Sequence, residues 1–153
     1  MRVRALAAAA VLCLSLSQIV TAQAPRRDLA ADERCGGHTL ERHVGRTNAQ
    51  LAQRLREQPD ISAASTYPDR ETAELTVGAA LAKERARIAA WTSRRGSRPN
   101  LALHYHATGR PIGRSWQRGA IAPVSCLDAL VVLRWDSGRH GFCVLTSYPE
   151  VGR

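Results

Sequence analysis

Leu130-Val131-Val132-Leu133-Arg134-Trp135, then Asp136-Ser137-Gly138-Arg139-His140-Gly141, then Phe142-Cys143-Val144-Leu145-Thr146-Ser147-Tyr148: this continuous stretch decides the fold class. Two apolar, β-branched and aromatic runs flank a short polar segment with glycines, which is the pattern of an antiparallel hairpin. Leu101–His106 and Pro111–Gln117 have the same strand-like character, so the chain from Leu101 onward is expected to be a sheet. Upstream the periodicity is helical. Thr39 to Val44 reads as a short helix closed by Gly45, and Thr47 with Gln50 has capping-box spacing for a second helix running to about Glu57, which Pro59 stops. Ile61 to Tyr67 is a short extended stretch. Pro68 and Asp69 then open the longest helical pattern, with Leu75, Ala79, Ala82, Ala86, Ala89 and Ala90 near one stripe and Gly78 placed to bend it. Polar Arg94–Asn100 ends it. Helices followed by antiparallel strands make an α+β chain, not a doubly wound α/β one.

The N-terminus has a different character. Arg2 and Arg4 precede an apolar run from Ala5 to Leu16, and Ala22-Gln23-Ala24 follows as a small-residue cleavage site, so residues 1–24 read as a secretory signal peptide. The apolar part is too short for a permanent membrane span, and no later segment is better suited, so stable membrane insertion is not expected. Residues 25–34 are charged and weakly periodic and read as a loose N-terminus of the exported form. Residues 35–153 form one domain.

The whole chain carries 22 Lys and Arg against 13 Asp and Glu, a formal charge of +9, and Lys83 is its only lysine. An arginine-rich surface suits a polyanion, because guanidinium grips phosphate through a rigid two-pronged fork. Loss of Cys13 with the leader leaves Cys35, Cys126 and Cys143, of which two can pair in an oxidising compartment; the sequence leaves the pairing open.

Alternation places Phe142, Val144, Thr146 and Tyr148 on one strand face, so Thr146 and Tyr148 present a hydroxyl and a phenol in the same direction. His38 and His43 stand about 140° apart if both are helical, so only one would face a given cleft. Arg54 lies on the next helix. His104 and His106 form a pair on one strand face, with no evident third metal ligand. From the residues alone this is a basic exported domain with a candidate His, Arg, Thr and Tyr set, and no reaction is fixed.

Gly36-Gly37-His38-Thr39-Leu40-Glu41-Arg42-His43-Val44-Gly45-Arg46-Thr47 resembles the opening signature of the bacterial RNase A-like toxin domain found at the C-termini of contact-dependent growth-inhibition proteins. The similarity continues through Leu51, Arg54-Leu55, Ile61–Ser65, Pro111–Arg114 and Val131–Arg134, and closes on Val144–Pro149. The resemblance implies the kidney-shaped RNase A-like α+β fold, N-terminal helices followed by a twisted antiparallel sheet. It also implies an active site at His43, Arg54, Thr146 and Tyr148, and a metal-independent, cofactor-free endoribonuclease whose substrate is RNA. The implied reaction is attack of a 2′-hydroxyl on the neighbouring phosphorus to leave a 2′,3′-cyclic phosphate. His43 then exchanges the proton, Arg54 steadies charge on phosphorus, and Thr146 reads a base edge. Tyr148 and His38 compete for the role of second proton carrier.

Such a domain implies a toxin or effector and a cognate immunity protein as partner; the leader implies export to the periplasm or outside the cell, and the protein is expected to be a monomer. The cysteines add a further expectation, that the thiols pair only after export and that the reduced precursor is inactive. The alternative reading is a non-catalytic basic module that binds RNA or another polyanion. A metal nuclease built on His38, His104 and His106 is the third reading.

Overall fold

Polar caps fix where the helices begin in this computed structural model, which describes residues 25–152. The signal peptide expected over residues 1–24 lies outside the described residues. Asp28 accepts a hydrogen bond from Ala31 N at 3.0 Å and opens α1 (Leu29–Arg34). Helix α2 spans Thr39–His43, and α3 (Asn48–Glu57) starts with the expected capping box, Thr47 and Gln50 each bonding the other's backbone N–H. Asp69 caps α4 (Arg70–Lys83), which is followed after a break at Glu84 by α5 (Arg85–Thr92). Among the described residues no helix is long and apolar enough to cross a membrane.

Helix α1 corrects the reading of residues 25–34 as loose. The charged composition hides an anchor: Leu29 is fully buried, and buried Asp32 takes Arg27 Nε and Nη2 at 2.8 and 2.6 Å. A carboxylate with a bidentate guanidinium partner can be buried at tolerable cost, so charge alone does not mark disorder here.

The long helical pattern also differs in detail. Its buried face runs through Ala73, Val77, Ala80, Ile88 and Trp91, while Ala82, Ala86, Ala89 and Ala90 are exposed. Alanine buries too little area to choose a face; the large side chains choose it. The helix runs unbroken through Gly78 and breaks at Glu84. A Cβ at Gly78 would collide with the Pro25 carbonyl, so this glycine admits the chain leading into α1.

The expected single sheet is two. Strands β1 (Ala63–Thr66), β3 (Gly113–Gln117) and β4 (Val124–Cys126) form one in the order β1-β3-β4, and β2 (Leu101–His106), β5 (Asp128–Asp136) and β6 (Gly141–Glu150) form the other in the order β2-β5-β6. All these pairings are antiparallel. Strand β4 has only three residues, too few for an alternating pattern to be visible in sequence.

In the β5–β6 hairpin, Leu133 pairs with Val144 but Val132 pairs with Thr146, leaving Leu145 as an extra residue. This bulge overturns the strict alternation expected for the last strand. Beyond it, Ser147 and Pro149 pair with Val131 and Ala129, which share the fully buried face of Leu133. Thr146 and Tyr148 stay together as expected. They lie opposite Val132 and Leu130, however, on the face away from Val144.

The outer edge of β6 is closed by the α1–α2 segment. Asp32 Oδ1 accepts from Val144 N at 3.0 Å, His38 N donates to Leu145 O at 3.0 Å, and Thr39 Oγ1 accepts from Ser147 N at 2.9 Å. Gly37 makes the approach possible, since a Cβ there would collide with the Val144 carbonyl. A disulfide between Cys35 and Cys143 ties the same two segments together, and among the described residues Cys126 is the free, buried thiol.

The main core packs Leu103, Val131, Leu133 and Val144 of the second sheet against Leu29, Val77, Ile88 and Trp91. A smaller cluster of Leu51, Leu55 and Ala64 seats α3 on the first sheet. Helix α2 thus packs on β6 and β1, and α3 on β1.

Candidate active site

His43 closes α2, and β1 holds it from below. Tyr67 N donates to the His43 carbonyl at 2.8 Å, and His43 Nδ1 donates to the Ser65 carbonyl at 3.2 Å. Only the tautomer with its hydrogen on Nδ1 can make the second bond, so Nε2 carries the free lone pair. Burial, and then the charge of Arg54, push the His43 pKa down to about 3, so the ring is neutral at pH 7. One nitrogen is fixed and the other keeps its lone pair, the geometry of a proton acceptor, while the same burial and positive charge make the ring a weaker base than a free imidazole.

Tyr148 lies against it, ring centroids 5.1 Å apart and planes tilted by 32°. Burial, with Glu150 nearby, raises the phenol above its ordinary pKa, so it keeps its proton at neutral pH. Two residues earlier on the same strand face, Thr146 Oγ1 is buried and has no hydrogen-bond partner among the described residues. Leaving a buried hydroxyl unpaired costs about 1–3 kcal/mol.

Arg54 approaches from α3. Its Nη1 donates to the Arg42 carbonyl at 3.3 Å and its Nε to Gln58 Oε1 at 3.2 Å, while no carboxylate pairs with it among the described residues. Burial and the charges of Arg42 and Arg46 lower its pKa below the ordinary guanidinium value, a sign of positive charge held without a counter-ion.

His38 is not on the α2 barrel at all but is its N-cap residue, so the helical angle separating it from His43 does not apply. Burial, followed by Arg42, lowers its pKa, and its charge contributes to the depression at His43. The sequence-derived set is therefore gathered: His43 and Tyr148 in ring contact, Thr146 beside Tyr148, and Arg54 and His38 close enough to act on His43 electrostatically.

The candidate metal set is not gathered. His104 Nδ1 engages Glu150 Oε1 at 2.7 Å and His106 Nδ1 engages Asp128 Oδ1 at 2.8 Å, each imidazole with its own carboxylate. Among the described residues, the one group of three possible ligands is Asp32, Cys35 and Cys143, and its two sulfurs form the disulfide. Sequence reasoning missed Ser65, whose carbonyl selects the His43 tautomer, and nothing in a Ser side chain announces a backbone role. It also missed Asp32, although an Asp near the start of a helix with an arginine five residues before it is a readable pair.

Residues 37–149 match the model of the family described as the Bacterial CdiA-CT RNAse A domain. The chain belongs to that family. A crystal structure of a CdiA-CT/CdiI complex from Y. kristensenii is similar at 32% sequence identity and a TM-score of 0.66, over 74% of this chain and 99% of that one. No curated protein matches. As a CdiA-CT RNAse A domain this protein is a ribonuclease of the bacterial toxin class, and its helices-then-strands α+β architecture is that of the family. His43, Tyr148 and Arg54 are brought near one another from α2, β6 and α3.

Proposed function

We propose that the protein is an exported endoribonuclease that cleaves RNA by 2′-hydroxyl transphosphorylation without a metal ion. The observation that carries this is the buried His43 ring, its Nδ1 committed to the Ser65 carbonyl and its ring centroid 5.1 Å from that of the protonated Tyr148.

In the proposed reaction, His43 Nε2 takes the proton of a ribose 2′-hydroxyl. The 2′-oxygen bonds to the adjacent phosphorus, the bond from phosphorus to the 5′-oxygen breaks, and Tyr148 gives its proton to that departing oxygen. The products are a 2′,3′-cyclic phosphate and a free 5′-hydroxyl. The tyrosinate and the imidazolium then return to their starting forms by exchange with solvent. Arg54 steadies the negative charge that builds on phosphorus, and the unpartnered Thr146 hydroxyl bonds an edge of the base. His38 is the competing proton donor. Tyr148 is favoured because its ring lies directly on His43.

Export is supported by the leader-like residues 1–24 and by a disulfide, which persists in oxidising compartments. A cognate immunity protein is the proposed partner, supported by the CdiI chain in the similar complex. Incubation with a defined RNA in EDTA, followed by end-group analysis, tests the reaction. Cyclic phosphate ends in the presence of chelator are the expected result; cleavage abolished by EDTA, or 3′-hydroxyl ends, would overturn the mechanism.

A further inference from the structure

Ala120-Ile121-Ala122-Pro123-Val124 carries the chain from β3 into β4, and no polar side chain interrupts it. Ile121 is 99% exposed and Val124 48%; with Val151 they are the large hydrophobic side chains left in solvent among the described residues. Ala120 and Ala122 are exposed as well. A single apolar residue on a surface is ordinary, but a continuous exposed run is unfavourable in water unless something covers it.

The run is held out rigidly. Gly119 turns the chain with a φ of 83°, Ala120 N donates to the Gln117 carbonyl at 3.0 Å, and Trp116 Nε1 donates to the Ala120 carbonyl at 3.0 Å. Arg118 braces the base of the loop: its N donates to the Ser62 carbonyl at 2.8 Å, its Nε to that of Ile61 at 3.0 Å and its Nη2 to that of Gln58 at 2.7 Å. A tip fixed in advance loses little conformational freedom when it is buried. The residues proposed for RNA cleavage stand on α2, α3 and β6, so that reaction does not account for it.

The order of the side chains points to what covers the tip. Its end is aliphatic throughout, and only at its neck do a partly buried indole, Trp116, and an exposed guanidinium, Arg118, appear. Aliphatic first, then indole and guanidinium, is the order met on leaving the hydrocarbon of a bilayer for its headgroups. A pocket on a protein partner selects differently: its anchors are chiefly Trp, Tyr and Arg within a polar rim, and Ala, Pro and Val offer it little to grip. Charge agrees with the first. Among the described residues Arg118 pairs with no carboxylate, Asp60 in the turn it braces included. The sequence from Arg85 to Leu127 holds eight arginines and neither Asp nor Glu. A headgroup phosphate supplies the missing counter-charge.

We propose that the β3–β4 loop is a membrane-insertion tip, with Ile121 and Val124 entering the acyl boundary of a phospholipid bilayer and Arg118 meeting a headgroup phosphate. So short a loop cannot span the bilayer, and the attachment is peripheral and reversible. The proposal is independent of the chemistry at His43, and either can fail alone.

Flotation with vesicles of equal parts phosphatidylethanolamine and phosphatidylglycerol tests this on residues 25–153, so that the apolar leader cannot do the binding. The wild type should float with the vesicles, and I121S/V124S should partition at least about tenfold less. Both side chains are exposed, so the thermal midpoint of the variant and its cleavage of free RNA should match the wild type. Ile121→Trp gives a positive reading: vesicles should shift its added fluorescence to the blue, and lipids brominated in the acyl chain should quench it. Wild-type protein that stays in the soluble fraction overturns the proposal and leaves the tip to a protein partner. A double variant that floats like the wild type also overturns it, since the arginine-rich surface alone would then be adsorbing. An unquenched indole in I121W does the same.

Discussion

His43 and Tyr148 meet ring to ring across the junction of α2 and β6, with centroids 5.1 Å apart. The proposed proton acceptor and donor thus stand on two separate elements, and their opposite pKa shifts predict a broad pH profile. The free-enzyme pKa values appear in kcat/KM. With His43 depressed to about 3, the acid limb should lie far below the ordinary 6.5, so activity at pH 5 should be close to that at pH 7. With Tyr148 raised above 10, no basic limb should appear up to pH 9. If His38 were the donor, its lowered pKa would make activity fall from below pH 6.5 upward. Initial rates on a dinucleotide between pH 4 and pH 9 distinguish the two.

The same histidine links stability to pH. Its folded pKa lies below the unfolded value, so the unfolded chain takes the proton first. The contribution is complete above pH 6.5 and is lost as pH falls from there toward about 3. The loss approaches on the order of 4 kcal/mol at the acid end. Urea unfolding at pH 7 and pH 4 should show a larger drop for the wild type than for His43→Gln; equal drops would place the titrating group elsewhere.

Removing His43 altogether should separate binding from chemistry. His43→Ala is expected to lose about 10²–10⁴ in kcat, the usual worth of a positioned proton carrier. Its affinity for a 2′-O-methyl oligonucleotide should stay within a few-fold of wild type. Cleavage retained at a tenth of the wild-type rate or better would remove His43 from the base role.

Thr146 offers a test in which stability and activity move apart. Thr146→Val keeps the shape and removes a buried hydroxyl that has no partner, so the protein should be as stable as before or more stable by about 1 kcal/mol. Its kcat/KM should nevertheless fall about tenfold or more, and preference among bases should flatten. Thermal midpoints together with rates on pyrimidine and purine dinucleotides give both readings, and a lower midpoint with unchanged base preference would make Thr146 structural.

Reduction of Cys35–Cys143 should loosen the site as well as the fold. The bond spans a sequence separation of 108 and its removal should cost about 2–5 kcal/mol. It joins the segment leading to His38 and His43 to the strand carrying Thr146 and Tyr148, so cleavage should also slow. Rates with and without reductant check this; equal rates reject the idea that the reduced precursor is held inactive. Cys126, buried with its thiol pushed up to about 11, should resist alkylation in the native protein at neutral pH.

The elements were legible wherever a local signal dictated them. Thr47 and Gln50 announced α3, the Leu101–His106 run was β2 residue for residue, and the polar turn between Asp136 and Gly141 lay where the hairpin closes. What local pattern could not show was partnership. Asp32 looks like one more charge until Arg27 and the Val144 amide surround it, and the role of Ser65 belongs to its carbonyl. The site residues came from motif resemblance, which placed His43 above His38 where periodicity could not. The division into two sheets stayed hidden because β1 and β3 pair across the whole of α4 and α5, a contact with no sequence neighbour to betray it.

Leu145 gives the last strand its double life. Were the pairing of β6 uninterrupted, Thr146 and Tyr148 would follow Val144 into the oily interior, and Ser147 would stand outside where it could bond neither Tyr67 nor Thr39. One supernumerary residue lets a single ribbon serve as masonry for its first half and as workbench for its second. A deletion there would leave every reactive group in the sequence and turn Thr146 and Tyr148 to the wrong wall, away from His43; in this protein the chemistry is written in the residue count as much as in the residue names.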